Sequence, residues 1–86
     1  MEEDVQQALS YIQSGKTYCN SVSNYYAGTF TNIEIVKNDR QGGFIATEIE
    51  KSAFSDEVFT TQKMLGDENT LIIYLKGILN NQISNP

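Results

Sequence analysis

Thr29-Phe30-Thr31-Asn32-Ile33-Glu34-Ile35-Val36, then Asn38-Asp39-Arg40-Gln41-Gly42-Gly43, then Phe44-Ile45-Ala46-Thr47-Glu48-Ile49-Glu50-Lys51 is the stretch on which the fold turns. The first and third runs alternate with the period of two that sends successive side chains to opposite faces of a strand. The middle run is a turn by composition. Two alternating runs joined by a glycine-containing loop predict an antiparallel hairpin. Pairing Lys37 with Ile45 gathers Ile33, Ile35, Ile45 and Ile49 on one face. The other face then carries Glu34, Glu48 and Glu50 beside Phe30, Val36, Phe44 and Ala46. A slip of one residue mixes isoleucine with glutamate on both faces, which a half-buried sheet disfavours. The first register is the expected one.

Upstream of the hairpin, Val5, Ala8, Leu9 and Ile12 follow the i, i+3, i+4, i+7 spacing of one helix face. Glu2, Glu3 and Asp4 complement the positive end of the helix dipole, and Ser14-Gly15 offers a C-terminal stop. A helix over about residues 3–14 follows. Residues 16–27 admit two readings. Cys19, Val22 and Tyr26 continue the helical stripe through Gly15, whereas Thr17, Tyr18, Tyr25 and Tyr26 with the Asn and Ser content favour a strand or irregular segment. The second is preferred.

Downstream, Val58–Met64 reads as a strand, Gly66-Asp67-Glu68-Asn69 as a turn and Thr70–Leu75 as a further apolar strand, together a second hairpin. Ser55-Asp56-Glu57 could alternatively cap a short helix running to Leu65. Lys76–Asn80 either finishes the strand or forms a helical turn, and the tail Asn80–Pro86 is polar and expected at the periphery. The expected architecture is α+β: an N-terminal helix packed on an antiparallel sheet of about four strands in two hairpins, a single domain over residues 1–86. Its core would set Val5, Ala8, Leu9 and Ile12 against Ile33, Ile35, Ile45, Ile49, Leu71, Ile73 and Leu75.

Composition is that of a folded globular chain, 40% hydrophobic and 10% aromatic. With 86 residues the core is small, and a homo-oligomer or a permanent partner would add stability. Eleven acidic and six basic side chains give a net charge of -5, which disfavours direct nucleic-acid binding and suits a basic protein partner. The same charge also serves plain solubility. Cys19 is the single cysteine, so no internal disulfide forms and a reducing cytoplasm is the expected location. The opening Met1-Glu2-Glu3-Asp4 is acidic where a targeting segment would be basic. The longest apolar stretch, Leu71–Leu75, is far short of the ~20 residues that span a bilayer, so no membrane association is expected.

The chain has no histidine, so the usual general base near neutral pH is missing and no Ser-His or Cys-His pair can be built. One cysteine without histidine makes no thiolate–imidazole metal site, and no cofactor is implied. Ser14-Gly15-Lys16-Thr17 resembles the end of a phosphate-binding loop, but Ser10 stands where that motif needs glycine. It also has a helix before it in place of a strand, and reads as a helix stop. Paired carboxylates alone could hydrolyse a glycoside, yet they need a cleft that a domain of this size rarely provides. An enzyme is not expected.

Three functional readings follow. The first is a small, acidic, non-catalytic interaction protein that binds a partner through Glu34, Glu48, Glu50, Phe30 and Phe44. It could act as an inhibitor that occludes a basic site, as an accessory protein of a phage against host defences would. The second is an oligomer that sequesters a small anionic ligand such as a nucleotide, held by Arg40, the Gly42 and Gly43 amides and the Tyr25 and Tyr26 rings. The third is the soluble part of a pilin-like subunit, which requires a continuous helix beyond Gly15. The solvated alternatives are a polar strand face for the glutamates, a plain hairpin turn for Arg40 and core-edge packing for the tyrosines.

Overall fold

The computed structural model describes residues 2–84, with side-chain surroundings for residues 4–80. The expected apolar stripe forms helix α1 (Glu2–Gln13), which buries Val5, Ala8, Leu9 and Ile12. Gly15 ends it with a φ of 92°, and its N–H donates to the Ile12 carbonyl at 3.0 Å. Strand β1 (Tyr18–Asn24) begins three residues later. The helix therefore does not continue past Gly15, and the continuous-helix option for residues 16–27 is overturned in favour of the strand.

Strands β2 (Thr29–Lys37), β3 (Phe44–Ser52) and β4 (Val58–Leu65) complete one antiparallel sheet in the order β1-β2-β3-β4. The β2–β3 hairpin is present, but its register differs by one residue: Lys37 pairs with Phe44, Ile35 with Ala46 and Ile33 with Glu48. The turn sets this register. Asn38 donates its N–H to the Gly43 carbonyl at 2.9 Å and accepts from the Gly42 N–H at 2.9 Å. The Asn38 side-chain oxygen accepts from the Arg40 and Gln41 N–H groups, both at 3.3 Å. Gly42 and Gly43 take φ values of 77° and 76°, a left-handed pair open to glycine. The closed loop brings Phe44 opposite Lys37, and a Cβ on Gly43 would press into the backbone oxygens of Leu65 and Gly66.

As a result Ile33, Ile35, Phe44 and Ala46 face the core, and Val36, Ile45 and Ile49 lie half-buried on the opposite face. The mixing of isoleucine and glutamate that the sequence argument penalised does occur. Its cost is met locally, because the inward Glu48 accepts a hydrogen bond from the Tyr74 hydroxyl and sits 3.3 Å from Lys63 Nζ.

Thr70–Leu75 is not a strand. Helix α2 (Glu68–Ser84) covers it, and the fourth strand of the sheet is β1, so β4 pairs with β3 and no second separate hairpin forms. The Asp67 carboxylate explains the helix start: it accepts from the Thr70 N–H at 2.8 Å and from the Thr70 hydroxyl at 2.6 Å. This is an N-cap with its partner at the third helical position. Leu71, Leu75 and Ile78 then recur on one face and are buried, while Ile73 is 71% exposed. The alternative short helix from Ser55 to Leu65 is absent, since β4 occupies that span. Helix α2 runs through Ser84, so most of the tail continues the helix, and Asn85 and Pro86 lie outside the described residues.

The side-chain hydrogen bond and then the backbone hydrogen bond from Thr70 hold Asp67 below the usual carboxylate range. The ionised form is the one that caps, so its contribution is present above the ordinary aspartate pKa and is lost as pH falls through the lowered value. Asp67→Ala should lower the melting temperature followed by circular dichroism at neutral pH, and Asp67→Asn, which can still cap, should lose less.

All core residues from the sheet belong to the face under α1 and α2. Among the described residues the molecule is therefore two-layered, with both helices on one side of the sheet and the other side left bare. No helix among the described residues is long and apolar enough to cross a membrane.

Candidate functional site

Strand pairing places the bare face in four rows. Ser23, Phe30, Lys51 and Val58 form the first, followed by Ser21-Asn32-Ile49-Thr60, Cys19-Glu34-Thr47-Gln62 and Val36-Ile45-Met64. Only Glu34 and Lys51 are charged on this face. Val36 and Ile45 pair across the strands, both half-buried like Ile49 two rows away, and Phe30, Val58 and Met64 are exposed. The apolar groups fall toward the two ends, Phe30 and Val58 in the first row and Val36, Ile45 and Met64 in the last, with mostly polar rows between them.

The first row lies at one end of the sheet, where the β1–β2 and β3–β4 connections meet. The Ala53 N–H donates to the Gly28 carbonyl at 2.8 Å, and the Phe54 ring lies so close over Gly28 that a Cβ at position 28 would fall within it. Gly28, at a φ of 66°, is glycine for both reasons. Asn24 Oδ1 accepts from the Ala27 N–H at 3.1 Å, and Ser52 Oγ accepts from the Phe54 N–H at 3.1 Å. These bonds order two loops whose tips are aromatic. Tyr25 is 71% exposed, Phe54 85% and Tyr26 fully exposed, with Phe30, Val58 and Phe59 at the adjoining strand ends. Glu50 and Lys51 near the end of β3, and Asp56 and Glu57 in the β3–β4 connection, are exposed at the same end of the sheet.

The residues singled out in the sequence separate. Glu34 is exposed on the bare face, whereas Glu48 and Glu50 point to the helix side, opposite Thr61 and Phe59. The three glutamates do not form one patch, because the one-residue register difference sends them to opposite faces. Phe44 is buried in the core, 7% exposed, and cannot rim such a patch. Phe30 does lie on the bare face. Arg40, Gly42 and Gly43 sit at the far end of β2 from Tyr25 and Tyr26, across nine residues of strand or roughly 30 Å. One chain therefore does not bring them together. The Arg40, Gln41 and Gly42 amides are also spent on Asn38, so they are not aimed at an anion.

A cleft of about 410 Å³ lies between α2 and the helix side of the sheet, lined by Val22, Thr31, Ile33, Glu48, Ile73, Tyr74, Gly77 and Ile78. Its polar groups satisfy one another, since Tyr74 donates to Glu48 and Lys63 pairs with Glu48 while lying 5.7 Å from the Tyr74 ring. Burial, then the Glu48 hydrogen bond and the Glu48 charge, push the Tyr74 hydroxyl well above the ordinary tyrosine value. The protonated phenol is the form the fold favours, so this contribution is complete below about pH 10 and is lost as pH rises through the raised value. In a phenolate absorbance titration, Tyr74→Phe should remove a step above pH ~10.

Among the described residues no group of three or more cysteine and carboxylate side chains is placed to hold a metal ion. Cys19 is an exposed free thiol on the bare face of the edge strand β1. Two features escape a reading of the sequence: Phe54, isolated in a polar loop, and the meeting of two loops about 25 residues apart, which only the sheet order produces. The signal that could have pointed to Phe54 is an aromatic residue between Ser52-Ala53 and Ser55-Asp56, where solvent exposure is the default. No family model, curated protein or solved structure matches this chain.

Proposed function

We propose that the chain is a non-catalytic protein-interaction domain that seats a basic-rimmed, apolar-centred surface of another protein on its aromatic end. The observation that carries this reading is the exposure of Tyr25, Tyr26 and Phe54 on two loops locked together by the Ala53–Gly28 hydrogen bond. Ordered aromatic side chains bring large contact area at little entropic cost, and such residues dominate binding energy at interfaces. Glu50, Asp56 and Glu57 lie at the same end of the sheet, three carboxylates to the one ammonium of Lys51, in a chain of net charge -5, which favours encounter with a basic surface. The function remains that of an inhibitor or accessory protein that occludes a basic site. Its acidic groups are Glu50, Asp56 and Glu57 in place of Glu34, Glu48 and Glu50. The chain has no histidine to act as a base near neutral pH, which supports a role without chemistry. The exposed thiol of Cys19 suits a reducing compartment, and the proposed setting is the cytoplasm.

The test uses a protein captured on the immobilised chain and then purified. It should bind the wild type with an affinity that falls as salt rises, and it should be lost on Asp56→Lys with Glu57→Lys. Binding that ignores salt and survives both reversals would refute the acidic part of the proposal. Survival of Tyr26→Ala with Phe54→Ala would refute the whole.

A further inference from the structure

Strand β4 is the edge of the sheet, and seven of its eight residues are exposed on both faces. Both helices lie against one face of β1, the other edge strand, and α2 also reaches β4. The direction of the β4 backbone groups follows from the hairpin. The Asn38 N–H bonds to the Gly43 carbonyl, and the Ala53 N–H to the Gly28 carbonyl, so Asn38–Gly43 and Gly28–Ala53 lie in hydrogen-bonded register. Antiparallel ladders alternate, so the odd residues of β3 bond to β2 and the even ones to β4. Thr61 opposes Glu48 and Phe59 opposes Glu50, so the odd residues of β4 bond inward. The N–H and C=O groups of Val58, Thr60, Gln62 and Met64 point away from the sheet.

An edge of this length is normally blunted by proline, bulges or charge. Val58–Leu65 contains no proline and no carboxylate in a chain with eleven, and its one cation, Lys63, is paired with Glu48. We propose that two copies of the chain pair antiparallel along β4, with the two-fold axis at Thr61, to make one continuous eight-stranded sheet. A two-fold at Thr61 keeps each residue opposite one that points to the same face. On the bare face Val58 meets Met64 of the second copy, and Thr60 meets Gln62. On the helix side Lys63 meets the Phe59 ring, a cation–π pair, and Thr61 meets itself. No like charges oppose, and all four outward residues are used, giving about eight new backbone hydrogen bonds. An acidic chain thus meets its copy along a strand that carries none of its negative charge. Val58 and Phe59 are drawn into the pairing, while Tyr25, Tyr26 and Phe54 lie outside the paired strands at opposite ends of the joined sheet, so the pairing goes beyond the proposed partner binding and does not depend on it.

Sedimentation equilibrium of the full chain over a concentration series tests this. The wild type should form a dimer. Gln62→Pro removes an N–H that points outward, so it should weaken association about tenfold or more without changing the circular dichroism spectrum. T60K with Q62K sets like charges opposite and should act the same way, whereas T60K with Q62E sets opposite charges and should retain the dimer. A wild type that is monomeric throughout, or a dimer indifferent to Gln62→Pro and to T60K/Q62K, overturns the proposal. A monomer that still binds its protein partner through Tyr26 and Phe54 overturns the pairing alone.

Discussion

Leu75→Ala is expected to cost the fold about 2–5 kcal/mol, and Ile73→Ala less than about 0.5 kcal/mol. The two residues are separated by one position in an apolar run. Leu75 is 0% exposed and belongs to the core with Leu71 and Ile78, while Ile73 is 71% exposed and only borders the cleft beside α2. In a strand they would share a face and lose stability together. In a helix they lie about 200° apart, and only one is buried. Against a total of roughly 5–15 kcal/mol for a small domain, the loss at Leu75 is large enough to unfold a substantial fraction of the chain on mild heating. Urea denaturation followed by circular dichroism checks both variants. Equal losses at the two positions would restore the strand reading of Thr70–Leu75.

That run shows why part of the fold was legible and part was not. The periodicity of Val5, Ala8, Leu9 and Ile12 has a single interpretation, and the structure contains that helix. Thr29–Val36 and Phe44–Lys51 alternate over most of their length, and both are strands. Leu71-Ile72-Ile73-Tyr74-Leu75 is apolar throughout, so it shows neither period, and its β-branched and aromatic content tipped the reading toward a strand. The arbiter was Asp67 with Thr70, a helix cap embedded in residues that also read as a turn.

The hairpin register failed for a different reason. Placing Ile45 and Ile49 inside keeps the glutamates outside, which is the sound choice for an isolated hairpin. The partners that make an inward Glu48 tolerable, Lys63 and Tyr74, are 15 and 26 residues away in sequence. They act only once the tertiary structure exists. The turn chemistry at Asn38, Gly42 and Gly43 set the register instead. The candidate site was legible by residue type at Tyr25, Tyr26 and Phe30, and not legible as a surface. Its coherence depends on two loops being neighbours in a four-stranded meander, and of the expected acidic patch only Glu34 lies on the bare face, with Glu48 and Glu50 on the helix side.

Tyr26→Ala combined with Phe54→Ala should weaken partner binding by at least about 30-fold, the ratio that corresponds to the 2 kcal/mol of an interface hot spot. Tyr26 is fully exposed, so its truncation removes contact area and leaves the fold intact. Phe54 also rests on Gly28, and its loss should loosen the tip without reaching the core, which lies on the helix side of the sheet. Unchanged melting alongside lost binding, read by titration calorimetry and thermal denaturation of the same samples, separates recognition from stability.

Hydrogen–deuterium exchange of the purified chain, with and without its bound protein partner, locates the interface most directly. Slowed exchange on binding at residues 24–30 and 52–59, where the two aromatic loops meet, is the expected result. Slowed exchange confined to residues 38–43 or to α1, with both aromatic loops unchanged, would contradict the assignment of function to this end of the sheet.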